Sequence, residues 1–409
     1  MTSPPSKPHH QAMKALVLNS GSSSQKAAVY AVDGSPLAEP AAPIWEARME
    51  WNSETAGPAS QGSQSHVSNR AEALKHLLAP LFAGRPRNAE PAEGLAVVGH
   101  RVVHGGPTYR NPVLITADVK AGLAKVSAFA PLHNRAELEG MEVVEGLLPG
   151  VPQIAVFDTG FHRNIPDEAA IYPGPFEWVA QGIRRYGFHG INHQYCAERA
   201  AHILGRELRA LKLVTCHLGN GCSLAAIRDG HSINTTMGFT PLEGLMMGTR
   251  SGSVDPGILT YLMRQHHLQS QDIDDMLNQR SGLLGVSGIS SDMRQILTAR
   301  EKGDSRAQLA FDMFVNRLRA GIGAMAAVLG GLDALVFTAG IGENSAQVRA
   351  AACETLNFIA LKLDPRANVQ CRPDMDIAAS DSPVRVLVIR AQEDWAIATE
   401  CWKLMCQSS

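Results

Sequence analysis

The sequence contains no Gly-Lys dipeptide and no Gly-x-Gly-x-x-Gly between a strand and a helix. The first absence excludes a Walker A loop, and the second leaves a Rossmann fingerprint without support. There is no Cys-x-x-Cys pair either, and the seven cysteines stand at 196, 216, 222, 353, 371, 401 and 406. An odd count without paired spacing is no disulfide framework and suits a reducing cytosol, so a cytoplasmic location is expected. Charge of one sign is lacking: the formal net charge is −2. No global positive field draws in nucleic acid or an anionic membrane, so neither is an expected partner. Any anion recognised here is met by a local set of side chains. The first residues, MTSPPSKPHHQA, hold no apolar run; residues 1–12 read as a flexible tail and not as a secretory signal. Ala320–Gly342 carries a single charge, Asp333. Gly330-Gly331 and Asp333 split it into a buried helix, AGIGAMAAVLGGL, and a strand, DALVFTAG, rather than a membrane span.

What the chain does have is apolar material for a packed core: 45% of its 409 residues are hydrophobic and 19% are charged. Lys14–Leu18, the turn NSGSSSQK and AAVYAVDG read as a β-hairpin. Ala71–Leu81 and Glu137–Leu148 read as helices, Leu95–Val98 and Ile154–Phe157 as buried strands, and 52–65 as a loop. A second apolar–turn–apolar segment begins at Leu211, LKLVTCHLGNGCSLAAIRDG. Gly21 to Val29 aligns without gaps to Gly219 to Ile227. Two glycine-turn hairpins half a chain apart, among alternating strands and helices, predict a duplicated α/β domain with a ligand cleft between the halves.

Phosphate binding needs backbone N–H groups aimed at one point with no Cβ in the way, and hydroxyls or a Lys add donors. Asn19-Ser20-Gly21-Ser22-Ser23-Ser24-Gln25-Lys26 has these parts, although an ordinary hairpin turn has them too. His217-Leu218-Gly219-Asn220-Gly221-Cys222-Ser223 is a second such turn. Thr338-Ala339-Gly340-Ile341-Gly342-Glu343-Asn344 is a third, after a buried strand where α/β sheets bind ligands. Arg101 in Gly99-His100-Arg101-Val102-Val103-His104 and Arg250 in Gly248-Thr249-Arg250-Ser251-Gly252 suit bidentate binding of carboxylate or phosphoryl oxygens; each taken singly also fits a surface ion pair. Histidines cluster at His133, His162, His189, His193 and His217. His189 and His193 have zinc-ligand spacing, but Gly190 and the missing Glu of His-Glu-x-x-His speak against zinc. Asp158 and Glu393-Asp394 are hard oxygen donors suited to Mg²⁺, or helix caps.

Together, NSGSSSQK, GHRVVHGG, APLHN, FDTGFH, RYGFHG, HLGNGCS, MGFTPLEGLMMGTRSGSVDP, SGLLGVSGISSDMR and FTAGIGENS resemble the acetokinase family, in family order from about 16 to 345. The resemblance implies two duplicated actin-like, sugar-kinase-like (ribonuclease H-like) α/β domains around a nucleotide cleft. It implies an N-terminal lobe of 13–158 plus 394–409, a C-terminal lobe of 159–393, and a homodimer formed through the second lobe. The implied reaction is ATP + acetate ⇌ ADP + acetyl phosphate, with Mg²⁺ or Mn²⁺. The residues matching family positions are Ser22, Ser24 and Lys26 for the nucleotide, and Asn19 and Glu393 for the metal. Arg101, Asp158, His189 and Arg250 match catalytic positions, with His133 and His217 lining the same site. Arg101, Val103, Leu132, Phe188 and Pro241 match the pocket for the small acid. His217, Leu218, Gly219, Asn220 and Gly221 match the phosphate turn; Asp292, Met293, Arg294, Gly340, Ile341, Gly342 and Asn344 match the adenosine side. The sequence departs from the family pattern at Arg390-Ala391-Gln392 before Glu393, at Met293, at Arg135-Ala136 and at Ile191-Asn192.

An ionised carboxylate needs no base to attack phosphorus, so the expected chemistry is in-line transfer in which cations cancel the repulsion of two anions. Arg101 and Arg250, one from each half, are expected to meet there. Hinges are expected near Asp158–Gly160 and Ala391–Asp394. The alternatives within the same fold are a propionate or butyrate kinase, a sugar kinase, and a non-catalytic nucleotide switch.

Overall fold

The computed structural model describes residues 12–20, 24–34, 39–50, 65–82, 93–127 and 131–407. Ser22, most of the expected tail and the expected loop over 52–65 except Ser65, which opens a helix, lie outside the described residues, as do the side chains of Ser24, Leu132 and His133. The chain divides into two compact units: Met1–Gly160 with Gln392–Ser409, and Phe161–Ala391.

The first unit carries strands β1 (Met13–Ser20), β2 (Ser24–Val32), β3 (Trp45–Glu50), β4 (Leu95–Val102), β5 (Val113–Leu114) and β6 (Gln153–Phe157). They form one sheet in the order β3-β2-β1-β4-β6-β5. β1 and β2 pair antiparallel with Asn19 opposite Lys26, and β4 runs parallel to both β1 and β6. β1 is apolar and buried from Ala15 to Leu18, as a strand covered on both faces must be. Helices Ser65–Phe82 and Pro131–Leu147 cover one face, where Leu74, Leu78, Leu81 and Val144 pack on Leu16, Val29 and Val98. Burial of each such side chain stabilises the fold by about 1.5–3 kcal/mol. The chain's last helix, Glu393–Gln407, lies against β1, β2 and β4. Gly99 permits that approach, since a Cβ there would lie 2.7 Å from both Cys401 Sγ and Ile397 Cγ2.

The second unit carries β7 (Leu213–Leu218), β8 (Cys222–Arg228), β9 (His231–Thr235), β10 (Ala334–Thr338), β11 (Met375–Asp376) and β12 (Arg385–Val388), in the order β11-β12-β10-β7-β8-β9. β7, β8 and β9 form an antiparallel meander, β10 runs parallel to β7 and β12, and β11 is an antiparallel edge. Strand for strand this is the order and polarity of the first sheet. The repeat legible in the two hairpins is therefore a repeat of whole sheets. Helix Gly190–Leu204 packs on β7 and β10 through Cys196, Ala197, Ala200 and Ala201.

The apolar stretch near 320–342 is the end of a 25-residue helix, Ser305–Leu329, followed by β10. Gly330, at φ 64°, stops the helix. No helix among the described residues is long and apolar enough to cross a membrane.

Candidate active site

The first unit assembles a charged cluster where β1, β4 and β6 end. Arg101, on β4, donates from Nε to Asp158 Oδ1 at 3.1 Å and from Nη2 to Asp158 Oδ2 at 2.5 Å. Its remaining arm, Nη1, donates to the Ser20 carbonyl at 2.9 Å. Asp158, just past β6, is 1% exposed and receives no bulk water to soften this fork. Burial opposes the charge on Arg101, but Asp158 and Glu393 outweigh it and hold the guanidinium ionised. Asn19, at the end of β1, donates its amide to Glu393 Oε2 at 3.2 Å and to Asp394 Oδ1 at 2.7 Å. The acidic pair opens the last helix of the chain, where carboxylates favour the helix dipole. Burial raises the pKa of Asp394, with Asn19 and Lys26 acting in the opposite sense. Lys26 is exposed on the strand facing Asn19.

Behind this cluster stands a residue the sequence reading missed, Glu137. It is 5% exposed, and both its oxygens accept the Val103 N–H, at 3.1 and 3.2 Å. Burial pushes its pKa up to about 8 although Arg101 pulls it down. Nothing in its sequence context marks it, because a Glu on a helix is ordinarily solvated. Val103 itself is buried.

The second unit assembles imidazoles around the turn between β7 and β8. His189 adopts a left-handed backbone, φ 57° and ψ 22°, immediately before helix Gly190–Leu204. A non-glycine residue held there costs on the order of 1–3 kcal/mol, a strain typical of functional sites. Its ring stacks on His217, at the end of β7, with centroids 3.9 Å apart and planes 11° from parallel. His189 Nδ1 meets Ser223 Oγ at 2.9 Å, and His217 Nδ1 receives the Asn192 amide at 2.8 Å. Both outward nitrogens then face the glycine turn. A Cβ on Gly221 would stand 3.3 Å from His189 Nε2 and 3.5 Å from Arg250 Nη1; one on Gly219 would stand 3.6 Å from His217 Nε2. Three donors thus border the space that two glycines leave open.

Arg250 is placed by its loop. Its Nη1 donates to the Pro241 carbonyl at 3.1 Å. Arg185 ties the loop's start by donating to the Thr235, Thr236 and Met237 carbonyls and to Glu243, which also accepts from Tyr172. Gly248 comes so near that a Cβ would fall 2.0 Å from Asn220 Oδ1.

The zinc-like spacing of His189 and His193 serves a hydrogen-bond chain instead. His193 bonds Thr215 and Ser223 at 2.7 and 2.8 Å, and no group of three or more His, Cys, Asp or Glu among the described residues is arranged for a metal. The segment read as a third glycine turn is a short helix, Ala339–Asn344, opened by Ala339 at φ 64°. A buried Arg349 fastens its end by donating to the Gly342 and Glu343 carbonyls, both at 2.8 Å. Ile341 and Asn344 lie on this helix, and Asn344 donates back to the Gly340 carbonyl at 2.9 Å. Asp292 caps helix Met293–Glu301 and pairs with the exposed Arg294, lining an open groove of about 420 Å³ with Ile289, Thr298 and Lys302. Met293 faces inward, 3% exposed, and Phe188 and Leu218 are likewise core side chains.

Arg101, Asp158, Asn19, Glu393 and Lys26 are therefore gathered in one unit, and His189, His217, Gly219, Gly221, Pro241 and Arg250 in the other.

Known proteins resemble the chain over nearly its whole length. The profile of the Acetokinase family matches residues 14–399. The chain is 58% identical over 402 residues to an acetate kinase of Gloeobacter violaceus, covering 96% of this chain and 99% of that one. It is 56% identical over 403 residues to an acetate kinase of Trichormus variabilis, covering 96% and 100%. Among solved structures, Porphyromonas gingivalis acetate kinase matches with a TM-score of 0.84 at 36% identity, over 96% of this chain and 100% of that one. A propionate kinase from Francisella tularensis matches at 0.82 and 36%, over 95% and 98%. With two like-ordered α/β sheets and arginine, histidine and glycine at the ends of their strands, the chain belongs to the acetokinase family and is a kinase with a carboxylate as phosphoryl acceptor.

Proposed function

We propose that the chain transfers the γ-phosphoryl group of ATP reversibly to acetate, giving acetyl phosphate and ADP by direct in-line attack. The observation that carries this reading is the point beside Gly221, bordered by His189 Nε2 and Arg250 Nη1 and open only because no side chain fills it. Donors aimed at one glycine-lined point suit phosphoryl oxygens, whose charge spreads in the transition state. The acetate oxygen forms the new bond to phosphorus as the bond to the ADP oxygen breaks. Acetate is already ionised near neutral pH, so no proton has to be removed. Arg101, forked onto Asp158, and Arg250 are the cations assigned to the two anions. Val103, Leu132, Phe188 and Pro241 match the family positions assigned to the methyl group. The adenosine side is supplied by Asp292, Met293, Arg294, Gly340, Ile341, Gly342 and Asn344. Ser22, Ser24, Lys26 and the backbone of Leu218 to Gly221 hold phosphates.

The donor set also suits Mg²⁺ or Mn²⁺. Glu393 and Asp394 bring hard carboxylate oxygens together at the Asn19 amide, and Mg²⁺ habitually takes one or two carboxylates and completes its shell with phosphates and water. Bound there, the cation would neutralise charge on the phosphate oxygens.

Acetate rather than propionate is the substrate of this reading, supported by the acetate kinases at 56% and 58% identity, while the propionate kinase shares the fold at 36%. A homodimer is part of the reading. Helix Pro256–His266 buries no residue and leaves Ile258, Tyr261 and Met263 exposed. The location is cytoplasmic, in keeping with seven cysteines outside any disulfide. Trapping the acyl phosphate with hydroxylamine tests the reaction: acetyl hydroxamate from ATP and acetate is expected. ATP turnover without it refutes the reading in favour of a sugar kinase or a nucleotide switch. A higher specificity constant for propionate or butyrate than for acetate refutes the substrate.

A further inference from the structure

Thr215 and His193 take no place in the reaction above, yet they lie in line behind His189. Thr215 Oγ1 meets His193 Nδ1 at 2.7 Å, His193 Nε2 meets Ser223 Oγ at 2.8 Å, and Ser223 Oγ meets His189 Nδ1 at 2.9 Å. Thr215, His193 and Ser223 are each 0% exposed. Three elements supply them: β7, helix Gly190–Leu204 and β8. From this arrangement we infer that Thr215, through His193 and Ser223, fixes the tautomer of His189, so that its Nε2 bears the proton and points a ready N–H donor at the phosphoryl group.

The direction follows from counting donors. A buried hydroxyl proton without an acceptor costs about 1–3 kcal/mol. Among the described residues His193 Nδ1 is the sole partner of the Thr215 hydroxyl, so Thr215 donates and His193 Nδ1 stays bare. Burial keeps His193 neutral, so its one proton resides on Nε2 and is donated to Ser223. The Ser223 hydroxyl, its lone pair engaged, turns its own proton to His189 Nδ1. His189 then has its proton on Nε2, beside Gly221 and Arg250. His217 reaches the same state independently, because the Asn192 amide donates to its Nδ1. Two stacked rings therefore present Nε2–H donors to one glycine turn, without either having to be charged. A proton on His189 Nδ1 would require each bond of the chain to reverse. Thr215, His193 and Ser223 are positioning residues: they act through His189 and touch no substrate.

The role assigned to His189 rests on the proposed phosphoryl transfer, whereas the hydrogen-bond chain does not. Nitrogen-15 chemical shifts of histidines in the full-length protein read the tautomers directly. Nε2–H on His189 and on His193 is expected; Nδ1–H on either overturns the inference, whatever the activity. For the functional consequence, Thr215→Val removes the first donor and keeps the side-chain shape. It should lower kcat and kcat/KM together, on the order of 10–100-fold, a milder version of the loss seen when the group orienting a catalytic histidine is removed. Thr215→Ser, which keeps the hydroxyl, should restore the rate. Wild-type turnover in the Val variant overturns the inference. If that variant does not fold, the wild-type nitrogen shifts still decide. Expected tautomers together with no acyl phosphate in the hydroxylamine assay would uphold the chain and overturn the reaction instead.

Discussion

The Arg101–Asp158 fork invites a double-substitution cycle. The two side chains are 12% and 2% exposed, so each single substitution leaves a charge with little water and without its forked partner. Arg101→Ala abandons the Asp158 carboxylate; Asp158→Ala abandons a guanidinium whose other arm still holds the Ser20 carbonyl. Breaking one side of a buried pair costs about 3–5 kcal/mol. For a folding unit of this size that is a fall in Tm of about 6–20 °C, at about 2–4 °C per kcal/mol. The double variant removes both charges and should be no less stable than either single one. Calorimetry on the four proteins at one pH measures this. Additive losses would refute the claim that the fork is a mutually compensating buried pair. Activity follows a different pattern: every variant should lose turnover, since Asp158 aims the arginine and Arg101 supplies the charge. An arginine in this role contributes on the order of 10³–10⁵ in other phosphoryl-transfer enzymes. A folded Arg101→Ala protein with near-normal kcat would remove Arg101 from the reaction.

Arg250→Ala should lower kcat by a comparable factor with a smaller stability loss, because Arg250 is half-buried and its Nη1 donates to a neutral acceptor, the Pro241 carbonyl; equal falls in Tm and kcat would argue for a structural role. Gly221→Ala places a methyl 3.3 Å from His189 Nε2 and 3.5 Å from Arg250 Nη1. It should weaken ATP binding and turnover with Tm nearly unchanged, and unaltered kinetics would show that no ligand uses that point. Glu137, with a pKa raised by burial to about 8, binds its proton more tightly folded than unfolded. Its contribution to stability is therefore full below about pH 4.5 and is lost as pH rises through about 8. Glu137→Gln, still able to accept from Val103, removes this dependence; Tm curves for the two proteins that run parallel from pH 4 to 9 would refute it.

Much of the site was legible because its chemistry requires particular residue types. A phosphate turn needs glycines, so Gly219 and Gly221 declared themselves, and Arg101 and Arg250 stood out among small neighbours. The duplication showed in the two hairpins, since a turn with strands on either side is a local pattern. Glu137 and Thr215 were illegible, and Ser223 was legible only as part of a turn: their roles come from burial and from partners 34, 22 and 34 residues away. The zinc spacing of His189 and His193 was a local pattern that the fold uses otherwise, because Thr215 and Ser223 already occupy both His193 nitrogens.

Chain order and residue type thus settled the two-sheet architecture and the identity of the cationic and glycine-rich elements, because short-range periodicity and steric freedom are written locally. Packing alone decided which atoms those elements aim at one another. The Asp158 fork on Arg101, the stacked imidazoles and the direction of the hydrogen bonds behind them arise only when distant strands exclude water and every buried proton has to find an acceptor.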